Sequence, residues 1–155
     1  MGILDTAQSL AEKERAEKER IHQAELKERR EREELVQLTK AETIHLLMNE
    51  IDGIKGFTVK QIDDKTYEGR IAEIEQKLPS GAYCSIGNVY VKHETYTFRG
   101  SDECPEQECE HVVISLRSSY RGDSYAGASI GHKSEITNTM TKFGESLAKY
   151  LKKYL

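Results

Sequence analysis

The stretch ILDTAQSLAEKERAEKERIHQAELKERREREELVQLTKAETIHLLMNEID, Ile3–Asp52, contains neither glycine nor proline. Those are the two residues a helix interior excludes, and Ala, Glu, Lys, Arg, Gln and Leu, which dominate here, are the ones it accepts at least cost. The stretch therefore predicts one long helix. At 1.5 Å per residue it would extend ~75 Å, more than a small domain spans, so much of it cannot be core.

A pentapeptide repeat says what kind of helix this is: AEKER occupies Ala11–Arg15 and again Ala16–Arg20. Five residues advance ~500°, so equivalent positions spiral around the cylinder and build no apolar stripe. Charge pairing has to support this part. Glu14 precedes Lys18, Glu25 precedes Arg29 and Glu28 precedes Arg32 at the favourable four-residue spacing, each pair worth ~0.2–0.5 kcal/mol. A heptad counted from Ile3 places Ile3, Ala7, Leu10, Glu14, Glu17, Ile21, Ala24, Glu28, Glu31, Leu35 and Leu38 at the seam. Apolar pairs alternate with acidic ones, and a parallel homodimer would stack glutamates, which argues against a strong coiled coil. A solvated helical arm, a coiled coil, and packing on another chain are the three readings of residues 1–34.

From Leu35 the character changes. Ala41, Ile44, Leu47, Met48 and Ile51 recur at three- and four-residue intervals, joined by Leu35 and Leu38, so residues 35–52 have a face to bury. Gly53 is placed as a left-handed cap that stops the helix. The chain thus divides into a charged arm, 1–34, and a body, 35–155.

Between Gly56 and Tyr120 the period becomes two. Phe57–Ile62 and Tyr67–Ile74 flank the polar cluster Asp63-Asp64-Lys65-Thr66 and read as a hairpin. Lys77-Leu78-Pro79-Ser80-Gly81 is the next break. Tyr83–Phe98 follows, as one bent strand or two short ones divided at Gly87-Asn88, and then His111–Tyr120, with Val112, Ile114 and Leu116 on one face. Residues 121–133 read as a glycine-rich loop. Ser134–Leu155 is an amphipathic helix with Ile136, Met140, Phe143, Leu147, Tyr150, Leu151 and Tyr154 in one stripe, and Lys149, Lys152 and Lys153 at the end where cations suit the dipole. Strands grouped between two helices predict an α+β fold, with a four- or five-stranded antiparallel meander and both helices on one face.

Charge and composition narrow the function. Ile3–Lys55 carries ten Lys/Arg against thirteen Asp/Glu and the remainder thirteen against fourteen, for a net charge of −4. Neither half offers the basic excess that strong nonspecific binding to nucleic acid or anionic membrane requires. No apolar run reaches the length of a membrane span and no signal-peptide core is present, so the chain reads as cytoplasmic.

Four constellations could carry chemistry. Cys104-Pro105-Glu106-Gln107-Glu108-Cys109, before the last strand, could form a disulfide, hold zinc with His111 as third ligand, or carry plain thiols. In a simple hairpin register His93 lies across from Tyr120, away from that tip. Asp102, Glu103, Glu106, Glu108 and Glu110 make the same loop acidic, suited to a basic partner or simply to keeping the sheet edge solvated. Gly127–Ser134 resembles a phosphate-binding loop with one spacer missing and His132 intruding before Lys133, so His132, Lys133 and Ser134 could bind an anion at a helix N-terminus, or Ser134 could merely cap the helix. Asp64 with Glu75-Gln76-Lys77 has the outline of a carboxylate-plus-lysine metal set. None of these amounts to a catalytic arrangement, and no cofactor or resident metal is expected.

The expectation is a non-enzymatic protein–protein interaction module, adaptor, chaperone-like or inhibitor. It uses the arm and its junction, Leu10, Ile21, Arg29, Arg30, Leu35 and Leu38, to bind another protein or a second copy of itself. The alternative is a phosphate- or nucleotide-binding domain with its site in residues 121–134.

Overall fold

A computed structural model describes residues 2–63, 68–98, 106–118 and 123–155. The order of elements is α1 (Ile3–Glu50), β1 (Phe57–Gln61), β2 (Arg70–Lys77), β3 (Tyr83–Phe98), β4 (Gln107–Arg117), β5 (Ser124–Ile130) and α2 (Ile136–Leu151). The five strands form one antiparallel sheet in the order β1-β2-β3-β4-β5, a plain meander, and α2 packs on β5. The fold is α+β. Backbone contacts divide the chain into two units, Met1–Glu34 and Leu35–Leu155.

Register explains why one sheet face is core and the other is not. Val59 stands opposite Ile74, Val89 opposite Leu116, and Leu116 opposite Ala126, while Val91–Ile114 and Val112–Ile130 continue the pattern, so one parity collects the apolar side chains. These residues are buried together with Leu35 and Leu47 of α1 and Phe143, Leu147 and Leu151 of α2. The opposite parity runs Lys60–Glu73–Asn88–Arg117 and Tyr90–Ser115, a mostly polar row in which Lys60 is exposed, Glu73, Tyr90 and Arg117 are half-buried, and Asn88 and Ser115 are buried.

The buried stripe of α1 is not the one its apolar residues predict. Leu35, Thr39, Thr43 and Leu47, at strict four-residue steps, are the buried residues, whereas Ala41 is exposed and Leu38 only half-buried. Two threonines can occupy core positions because their hydroxyls are satisfied inside the helix: Thr39 Oγ1 donates to Leu35 O and Thr43 Oγ1 to Thr39 O, both at 2.7 Å. The helix ends at Glu50, and Gly53 adopts φ +76°, the left-handed conformation its position requires. Asp52 Oδ1 accepts the Val59 amide at 2.8 Å and ties this turn to β1.

Element boundaries differ in places from the sequence reading: β4 spans Gln107–Arg117 rather than His111–Tyr120. Of the two readings of Tyr83–Phe98 the structure has the single strand, with a bulge beside Gly87: Ile74 faces Gly87 and Glu75 faces Ser85, leaving Ile86 as the extra residue. β2 starts at Arg70 rather than Tyr67 and runs to Lys77. The expected glycine-rich loop, 121–133, contains β5. Ser124–Ile130 pairs along β4 from Arg117 to Val112, and its small residues admit α2 closely enough for the Gly127 amide to donate to Ser146 Oγ at 3.2 Å.

Among the described residues no helix is long and apolar enough to cross a membrane.

Candidate functional site

Residues Ile3–Glu34 of the first unit form unbroken helix, and every one of them is exposed except Ala11, Leu26 and Arg32, which are half-buried. Ile3, Leu10 and Ile21 are 88%, 56% and 46% exposed. Aliphatic side chains left in water at this level forgo roughly 1–2 kcal/mol each that burial would return. The pairs that stabilise the segment are local. Arg20 binds Glu17 through both Nε and Nη2, Gln8 reaches Glu12 at 3.4 Å, and Gln23 reaches Glu19 at 2.9 Å. Glu14–Lys18 and Glu25–Arg29, although correctly spaced, do not close to ion-pair distance. Exposed pairs gain too little from a fixed geometry to repay the side-chain entropy.

Of the residues expected to meet a partner, Leu10, Ile21, Arg29 and Arg30 are exposed and Leu38 is half-buried. Leu35 is different. It is 9% exposed and belongs to the hydrophobic core, the first turn at which α1 has a buried face.

The turn proposed for an anion is already satisfied from within. Lys133–Glu135 is a 3-10 turn whose N-cap is His132, not Ser134. His132 Nδ1 accepts the Ser134 amide at 3.2 Å and lies 2.9 Å from Ser134 Oγ, while the Glu135 amide donates to His132 O at 3.0 Å. A phosphate at this turn would have to displace the histidine from the donors that would bind it. Glu135 adds a carboxylate in the first turn.

At the β3–β4 end, His93 stands opposite Val112 and not opposite Tyr120, because β4 is already paired from Gln107, opposite Phe98, which shifts the register by eight residues. His93 Nε2 therefore lies 3.8 Å from Glu110 Oε2. Cys109 stands opposite Tyr96, and its thiol, hydrogen-bonded to the phenol, raises the Tyr96 pKa. The Tyr96 ring in turn lies 4.6 Å from the His111 ring. Cys84 and Cys109 are free thiols. Cys104, Asp102, Glu103 and Asp64 lie outside the described residues, and among the described ones no group of three or more His, Cys, Asp or Glu converges as a metal site.

Two features of the second unit were not evident from sequence. The first is a cavity of about 300 Å³ between the C-terminal turns of α1 and α2, lined mainly by Leu46, Ile51, Ile54, Phe57, Leu147 and Leu151. It continues into a trough bounded by Glu42, Glu50 and Glu145. The second is a tyrosine cluster. Tyr125 stacks on Tyr150 with centroids 4.7 Å apart, and Tyr150 meets Tyr154 edge-on at 5.7 Å. Tyr150 and Tyr154 carry the helical spacing that marks a stripe, but Tyr125 joins them only because β5 is a strand under α2.

No family model, curated protein or solved structure matches this chain.

Proposed function

We propose that the protein is an interaction module without chemistry of its own, and that the N-terminal part of α1 binds another protein or a second copy of the chain. One observation carries this reading: some thirty residues of continuous helix keep Ile3, Leu10 and Ile21 in water. Isolated helices are marginal in water, and their stability in proteins comes mostly from burying a face. A partner helix or groove laid along this segment would supply that burial. Leu10 and Ile21 would be its apolar anchors, with Arg29 and Arg30 pairing with carboxylates at the rim.

The test uses the full chain carrying Leu10→Glu and Ile21→Glu together. Both sites are exposed, so the fold of the second unit should be untouched, as thermal unfolding would verify. Sedimentation equilibrium reads self-association, and capture from native cells reads a heterologous partner. The reading requires that the double substitution abolish one of these. Retention of the same oligomeric state and the same bound proteins refutes it.

A further inference from the structure

The tyrosine cluster contacts a cation. Lys153, in the 3-10 turn that follows α2, places its Nζ 4.2 Å from the centroid of Tyr150, 5.3 Å from that of Tyr154 and 5.7 Å from that of Tyr125. All three distances fall within the range in which an ammonium is attracted by the ring quadrupole. Lys153 is exposed, and among the described residues no carboxylate lies within ion-pair distance of it.

The rings themselves are held independently of the lysine. Tyr150 Oη donates to Ile86 O at 3.2 Å and lies 3.1 Å from Tyr154 Oη. Gln76 Nε2 donates to Tyr154 O at 3.0 Å, fixing the backbone that carries the third ring. Tyr125 is kept parallel to Tyr150, within 5°. Tyr125 and Tyr150 cover one face of each other, so withdrawing the Lys153 side chain would leave the ammonium's place bordered by one anchored two-ring stack and by Tyr154.

A primary ammonium is a poor choice for such a place. It carries three N–H donors that aromatic faces satisfy less well than water does, whereas a quaternary ammonium has no donors to satisfy and sheds its water more easily. We propose that Tyr125, Tyr150 and Tyr154 form a binding site for a small quaternary ammonium compound, with Lys153 as a tethered occupant that the ligand replaces. Because the lysine is intramolecular, it competes at an effective concentration in the millimolar range or above, which weakens the observed affinity of the intact chain. This site is independent of the N-terminal helix and stands or falls separately from the interaction reading.

Choline chloride and its uncharged isostere 3,3-dimethylbutan-1-ol separate charge recognition from apolar filling. Each is titrated into the full-length protein, Lys153→Ala, Lys153→Ala/Tyr150→Leu and Lys153→Ala/Tyr125→Leu, with binding read by nuclear magnetic resonance shifts and folding by circular dichroism. The expected result is that choline binds Lys153→Ala at least tenfold more tightly than the intact chain. The alcohol should bind at least tenfold more weakly than choline, and each leucine substitution should remove most of the gain. Tyr125 is on an edge strand and 40% exposed, so its variant remains informative if Tyr150→Leu does not fold. Equal choline affinity for the intact chain and Lys153→Ala overturns the proposal. So does equal affinity for the alcohol and choline, or indifference to loss of a ring.

Discussion

Two glycines placed in opposite circumstances give the sharpest test of the packing. Gly87 sits at the β3 bulge with φ +155°, and a Cβ built there would lie 2.9 Å from Arg117 O and 3.2 Å and 3.4 Å from Leu116 side-chain carbons. The carbonyl belongs to the β3–β4 ladder and Leu116 is fully buried, so neither neighbour can retreat cheaply. Overpacking a core typically costs ~1–3 kcal/mol, and a sparsely populated backbone conformation adds ~1 kcal/mol or more. The loss of glycine's unfolded-state freedom returns ~0.4–1 kcal/mol, leaving Gly87→Ala about 2–3 kcal/mol less stable. Gly144 is the converse. It lies inside α2 with nothing within 4 Å of the Cβ position, so Gly144→Ala should gain about 1 kcal/mol from helix propensity alone. Urea unfolding followed by tyrosine fluorescence measures both. There is no tryptophan, and the first tyrosine in the chain is Tyr67, so the signal comes only from the Leu35–Leu155 unit. The midpoints should move in opposite directions with unchanged slope. A loss below 1 kcal/mol at Gly87, or any destabilisation by Gly144→Ala, would refute the packing described for the bulge or for the α2 face that lines the cavity at Gly144.

Other outcomes follow from the polar contacts. Tyr150→Phe should cost about 1 kcal/mol by removing the donor to Ile86 O, read from the same urea titration. Burial, followed by the neighbouring Tyr154 hydroxyl, raises the Tyr150 pKa above its ordinary 10.0. A raised phenol contributes stability that is complete below pH 10 and is lost as pH rises above it. The melting temperature of the intact protein should therefore fall more steeply from pH 9 to 11 than that of Tyr150→Phe. On the open sheet face, a hydrogen bond between Glu73 and Glu75 raises the first carboxyl and lowers the second, and Lys60 binds Glu75 at 3.1 Å. Glu73 loses its contribution as pH rises through its raised value. Glu73→Gln keeps a donor there at all pH and should be more stable at pH 7 by a few tenths of a kcal/mol, an effect discounted for solvent screening, with the difference vanishing at pH 4 in thermal melts. His132→Ala removes the cap of the turn leading into α2 and should lower stability by about 1 kcal/mol, whereas His132→Asn should retain most of it.

What was legible in the sequence is whatever depends on one element's own periodicity. The absence of glycine and proline from Ile3 to Asp52 specifies α1 because a helix is built from bonds four residues apart. Alternation along Val112, Ile114 and Leu116 specifies β4 because successive side chains leave a strand on opposite sides. The open character of residues 3–34 follows in the same way, since a five-residue charged repeat can make no apolar stripe.

Tertiary structure decided the rest. Threonine is polar in any pattern, yet Thr39 and Thr43 are core because the helix itself accepts their hydroxyl protons. Ser124–Ile130 looks like a loop because glycine, serine and alanine have little intrinsic preference for strand, yet β4 offers an unpaired edge and α2 needs small residues beneath it. That strand carries Tyr125 to Tyr150 and completes the ring cluster around Lys153. Local spacing can say which residues share a face of one helix or strand, but which faces meet is settled only when the elements pack.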